Sequence, residues 1–132
     1  MRITDRVVAT GLPLDQIVVI GSGVMDALGL RRSDDIDLVA SEKLFAELKS
    51  SGDYNYFIRH NEEVLEKDDQ EIWLSWDVDG VSHFTQLWNG GVTIDSVRFC
   101  HPKSVLEWKK KHNRSKDQND IVLLQKYLDD SQ

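Results

Sequence analysis

Two aspartates one residue apart, Asp35 and Asp37, and the upstream turn Gly21-Ser22-Gly23 are the residues whose types and spacing can do chemistry. Side chains alternate along a strand, so Asp35 and Asp37 share one side while Ile36 and Leu38 take the other. Paired carboxylates are ligands for a hard cation such as Mg2+. Two such ions, roughly 3.5–4 Å apart, suit an in-line displacement at phosphorus. The turn leaves the apolar run Ile17-Val18-Val19-Ile20 and enters helix-compatible residues, so its backbone N–H groups and the Ser22 hydroxyl suit a phosphate. Each half alone also has a plain reading: a solvated strand start for the acids, a purely geometric turn for the glycines. Asp26 stands where a dinucleotide fingerprint needs its third glycine, which excludes that motif.

The elements that must hold these residues follow from the hydrophobic pattern. A helix over 4–10 is broken by Gly11 and Pro13; a strand over 17–20, the turn, a helix over 24–28 and a strand over 35–39 come next. Ser41 caps a helix over 42–50, where Leu44, Phe45 and Leu48 fall on one stripe, and Gly52 ends it. Strands are expected over 54–58 and 71–78, with the charged stretch 61–69 as an exposed connection between them. A short helix over 83–88 stops at Asn89-Gly90-Gly91, and strands follow over 92–95 and 97–99. Pro102 opens a helix that runs to Asn113. A capping box of Ser115 and Gln118 opens the last helix, striped by Ile121, Leu124, Tyr127 and Leu128. The pattern predicts an α/β (α+β) domain, a small mixed sheet flanked by helices with a C-terminal helical pair. One domain fills residues 1–132, its core about 14–100 and its C-terminal helices about 102–129.

Composition narrows the class. With 132 residues, 40% hydrophobic and 30% charged, the chain reads as an ordinary globular domain. A net charge of −7 argues against a protein that coats nucleic acid, though a local basic patch stays open. The single Cys100 excludes an internal disulfide and reads as a small core residue. No apolar run has the length of a signal peptide or membrane span, so the expected location is cytoplasmic, away from membranes. His60, His83, His101 and His112 lack a zinc spacing and read as surface residues, and the four tryptophans read as core anchors.

The hydrophobic-Gly-Ser turn, the helix and the Asp-hydrophobic-Asp-hydrophobic strand resemble the signature of the nucleotidyltransferase superfamily, the fold of antibiotic nucleotidyltransferases and DNA polymerase beta. Gly21, Ser22, Asp35 and Asp37 are the matching positions. Lys110, Arg114, Lys116-Asp117 and Asp120-Ile121 are similar to the K-xxx-R-x-KD-xx-D-hydrophobic pattern of small stand-alone bacterial members, among them domains related to abortive-infection toxins. The resemblance spans residues 17–39 and 92–128. It implies magnesium-dependent transfer of a nucleoside monophosphate from a nucleoside triphosphate to an acceptor hydroxyl on an RNA end, a protein or a small molecule. Asp35 and Asp37 would hold Mg2+, and Gly21, Ser22, Lys110 and Arg114 the nucleotide. The lysine run 109–111 and Arg114 equally fit a helix end complementing the dipole, and Asp117 and Asp120 read as structural partners of nearby cations. The pattern also calls for a third carboxylate on a later strand; Trp73 stands at its expected position, and Glu71, Asp77 and Asp95 are the candidates. Without that acid the same fold would serve as a catalytically degenerate nucleotide-binding module. A toxin–antitoxin component meeting a protein partner, or a homodimer, is the further alternative.

Overall fold

The computed structural model describes residues 1–78 and 80–131. Helix α1 spans Ile3–Ala9, and β1 (Ile17–Val19), α2 (Ser22–Ala27) and β2 (Ile36–Ala40) form the first structural unit. Helix α3 (Glu42–Ser51) leads into β3 (Asn55–Arg59), β4 (Glu62–Lys67) and β5 (Gln70–Trp73). Then come β6 (Ser75–Val78), β7 (Gly80–His83), α4 (Phe84–Asn89), β8 (Val92–Ile94) and β9 (Val97–Phe99). Helices α5 (Pro102–His112) and α6 (Gln118–Asp130) close the chain.

Seven strands form one mixed sheet in the order β3-β4-β5-β2-β1-β9-β8, and β6 pairs with β7 separately. Strand β2 lies antiparallel to β1 and parallel to β5, so the aspartate strand has a neighbour on each side. Helix α1 packs on α2 and β2, α4 on β1 and β9, and α5 on α2, α6 and β6. The architecture is the expected mixed α/β domain, with Val18, Val19, Leu38, Val39 and Ile72 fully buried at its centre. Each such aliphatic side chain contributes about 1.5–3 kcal/mol by leaving water. Local chemistry sets the ends of α3 as expected: the Ser41 hydroxyl accepts from Leu44 N at 3.2 Å, and Gly52 takes the left-handed conformation.

Three expectations change. The charged stretch 61–69 is largely strand β4, pinned by the turn residues His60 and Asn61 on one side and Asp68 on the other, all at positive φ. Val64 and Leu65 at its centre are both buried, so a sheet with covered faces hides the alternation that marks a half-exposed strand. The single strand expected over 71–78 is two. Leu74 N bonds back to Glu63 O at 3.1 Å, and beyond it the chain leaves the main sheet to pair with β7. The Ser115–Gln118 capping box is replaced by a 3-10 turn over Ser115–Asp117, and the Gln118 side chain donates to Asn113 Oδ1 and Arg114 O instead. Among the described residues no helix is long and apolar enough to cross a membrane.

Candidate active site

Register places the acids. Asp37 on β2 lies directly beside Glu71 on the parallel β5, and the next same-face pair is Val39 with Trp73. Lateral neighbours in a sheet present their side chains to the same face, so Glu71 joins Asp35 and Asp37 along the wall of one cleft of about 230 Å³. Asp35 is held through its backbone. Ser33 Oγ donates to the Asp35 carbonyl at 2.6 Å, Ser33 N donates to Asp26 Oδ2 at 2.8 Å, and Arg6 of α1 donates to the Ser33 and Asp34 carbonyls at 2.5 and 2.6 Å. Asp26, which spoils the dinucleotide fingerprint, therefore anchors the loop that delivers Asp35. Burial above all, then the Glu71 and Asp35 charges, pushes the Asp37 carboxyl up to about 7.

The turn sits against Asp37. Gly21 has φ 64° and ψ −143°, a conformation open to glycine alone, and a Cβ there would lie 3.1 Å from Asp37 Oδ2. The Ser22 hydroxyl accepts from Arg31 Nη2 at 2.6 Å. That guanidinium also grips Asp120, through Nε at 2.6 Å and Nη2 at 2.8 Å. From Asp120 the ion pairs continue to Lys109 Nζ at 3.1 Å, to Asp117 at 3.0 Å and then to Arg114, whose Nε lies 2.6 Å from Asp117 Oδ2. Burial pushes Asp117 and Asp120 upward, but the bonds from Arg114 and Lys109 to the first, and from Arg31 and Lys109 to the second, hold both below the usual carboxylate range. Cations line the cleft together with the acids: Arg31, Arg59, Lys109, Arg114 and Lys116.

The structure gathers Gly21, Ser22, Asp35, Asp37, Glu71 and Arg114 into this cleft and leaves three of the sequence candidates elsewhere. Lys110 points away, bonding Gln125 at 3.0 Å on the exposed side of α5, and Lys109 lines the cleft in its place. Helix phase carried the signal: Lys109 follows Val105 by four residues and Leu106 by three, on the buried stripe. Asp95 sits at positive φ in the β8–β9 turn, 3.0 Å from Arg2. Asp77 on β6 bonds Lys111 at 2.6 Å and lies 3.9 Å from His112. Arg31 and Arg59 carried no sequence signal, since their partners lie 89 and 12 residues away. Trp73, Trp76 and Trp108 border the cleft but are no more than 4% exposed, so they wall it rather than offer open stacking faces.

Asp77 also has an acidic neighbour, Glu62, which is 5% exposed and whose Oε2 has no hydrogen-bond partner among the described residues. His60 and His112, read from sequence as separate surface residues, lie ring to ring at 4.4 Å beside Trp108. Burial, then the Asp77 charge, pushes the Glu62 carboxyl up to about 7 from its ordinary 4.5. A carboxyl whose folded value exceeds its unfolded value keeps its proton in the native state, so stability falls as pH rises through that window. Glu62→Gln, which never ionises, is expected to lose less stability than the parent between about pH 5 and 8 in urea unfolding. Equal losses would contradict this.

An all-oxygen set of three carboxylates suits Mg2+ or Mn2+ rather than zinc, and burial together with the two neighbouring acids raises the Asp37 carboxyl. Among the described residues no three His, Cys, Asp or Glu side chains are converged so as to hold a metal ion.

No protein-family model matches the chain, and no curated protein matches it. A match among solved structures is the crystal structure of ANT(2")-Ia, an aminoglycoside nucleotidyltransferase, in complex with adenylyl-2"-tobramycin. The two share 16% sequence identity at a TM-score of 0.56, over 96% of this chain and 86% of that one. At that identity the likeness speaks for architecture: the chain has the nucleotidyltransferase-like fold that its turn and its aspartate strand resemble.

Proposed function

We propose that this cleft transfers a nucleoside monophosphate from a nucleoside triphosphate to an acceptor hydroxyl, releasing pyrophosphate. The observation that carries the reading is the register of Asp37 with Glu71, which sets a third carboxylate beside the Asp35–Asp37 pair and next to the Gly21-Ser22 turn. Arg31, Lys109 and Arg114 line the same cleft, where they suit the negative charge of a triphosphate and of the departing pyrophosphate. Mg2+ held by Asp35, Asp37 and Glu71 would supply electrostatic stabilisation to the phosphate oxygens. Glu71 is the group for the acceptor hydroxyl proton: the new bond joins the acceptor oxygen to the α-phosphorus, the bond from that phosphorus to the pyrophosphate oxygen breaks, and the proton passes to the carboxylate. The fold neighbour's ligand, adenylyl-2"-tobramycin, supports a small hydroxyl-bearing acceptor; RNA ends and protein hydroxyls present the same nucleophile.

Transfer of label from an α-labelled nucleoside triphosphate to acceptors of these three kinds tests the reading. Glu71→Gln is expected to lower transfer by about 10²–10⁴-fold, the usual reach of a general base. Asp77→Asn and Asp95→Asn should stay within about threefold of the parent, since neither side chain lines the cleft. Magnesium-dependent nucleotide binding with no transfer to any acceptor would instead mark a binding module.

A further inference from the structure

Glu71 is already paired with a cation of the protein. Its Oε2 accepts from Arg59 Nη1 at 2.6 Å, in an ion pair whose side chains are 19% and 40% exposed. Arg59 is the last residue of β3, two strands from Glu71 in the sheet, and reaches back across β4 to the cleft. Its guanidinium lies 4.7 Å from the Phe57 ring centroid, a contact that steadies a long side chain while leaving the donors pointed at the carboxylate. No other cation is within ion-pair distance of Glu71 among the described residues. Arg31, Lys109 and Arg114 are committed to Asp117 and Asp120.

Building on the nucleotidyl-transfer reading above, we infer that Arg59 is a built-in counter-cation that holds Glu71 in place of a metal ion until the nucleotide arrives. It is a positioning residue, acting through Glu71. The guanidinium occupies Oε2 and leaves Oε1 open, but its positive charge opposes a second cation on the same carboxylate, so a metal ion engages Glu71 more weakly while the guanidinium stays. A divalent ion with a triphosphate attached brings the anionic oxygens that make the exchange favourable, because the released guanidinium then has phosphate within its reach. A bare ion brings none. The three-acid site is therefore completed by a metal–nucleotide complex and only weakly by metal alone. The acid that accepts the proton is thus held in position in the resting protein.

Mn2+ binding to nucleotide-free protein, followed by electron paramagnetic resonance, reads this directly. Arg59→Ala is expected to tighten Mn2+ about five- to tenfold, and Arg59→Gln nearly as much, while Arg59→Lys stays close to the parent. A general change in local field would also tighten binding when Glu71 is neutral, so the decisive measurement is the cycle with Glu71→Gln. If Arg59 acts through Glu71, adding Arg59→Ala to Glu71→Gln gains less than about twofold. An unchanged affinity in Arg59→Ala, or the same gain in both backgrounds, overturns the inference. Asp37→Ala separates this from the reading beneath it: Mn2+ bound equally by the parent and Asp37→Ala removes the three-acid site itself. Loss in Asp37→Ala with no gain in Arg59→Ala removes the counter-cation alone.

Discussion

Asp37→Asn is expected to abolish nucleotidyl transfer, by about 10³-fold or more, while making the metal-free protein more stable. The loss follows from position. Asp37 faces both the Gly21-Ser22 turn and Glu71, so in the proposed reaction its carboxylate would join the nucleotide side of the cleft to the acceptor side. Removing it subtracts several kcal/mol of charge stabilisation, and about 4 kcal/mol corresponds to about 10³ in rate. The gain has the same origin. Burial and two neighbouring acids raise Asp37 to about 7, so at higher pH the folded protein carries a carboxylate that is better solvated in the unfolded chain. An amide of the same shape removes that cost, and the unfolding free energy at about pH 8 without metal should rise by roughly 1–3 kcal/mol. Denaturant unfolding beside label transfer checks both halves. A variant that loses activity and stability together would mean that Asp37 is a structural residue.

That opposition also explains why the aspartate strand was legible in the sequence. Acids at 35 and 37 interleaved with buried Ile36 and Leu38 are a period-2 pattern that survives without any partner strand, and Gly21 is written into the turn because a side chain there would press on Asp37. Glu71 was not legible to the same degree. It stood level with Asp77 and Asp95 in the sequence, because what separates them is the parallel pairing of β2 with β5, a long-range register that no local period encodes. The break beyond Leu74, which sends Asp77 into the second sheet, depends likewise on non-local pairing, with Leu74 still bonded to Glu63 and Ser75 already paired with β7. Lysine choice failed for another reason. In the run 109–111 all residues are alike and the motif spacing selects Lys110, yet the helix buries only the position in phase with Val105 and Leu106.

The second large effect falls on that buried position. Lys109 is 3% exposed and its ammonium lies 3.0 Å from Asp117 and 3.1 Å from Asp120, both themselves buried. Replacing it by methionine keeps the stem's packing and removes the charge, leaving Asp117 to Arg114 and Asp120 to Arg31, with one lone pair on each carboxylate unanswered. Breaking a buried pair by removing one partner costs about 3–5 kcal/mol, a large share of the stability of a domain this size. Lys109→Met should therefore unfold at markedly lower denaturant, whereas Lys110→Met, whose amine reaches only the exposed Gln125, should move stability by less than about 0.5 kcal/mol. Arginine at 109 retains the charge but must fit a planar fork into a space shaped for a compact ammonium, so it should recover only part of the loss. Because Asp120 also anchors Arg31, which holds the Ser22 hydroxyl, surviving Lys109→Met protein should bind triphosphate more weakly than Lys110→Met. Equal stability in the two methionine variants would show that the network from Ser22 to Arg114 is not held by its central cation.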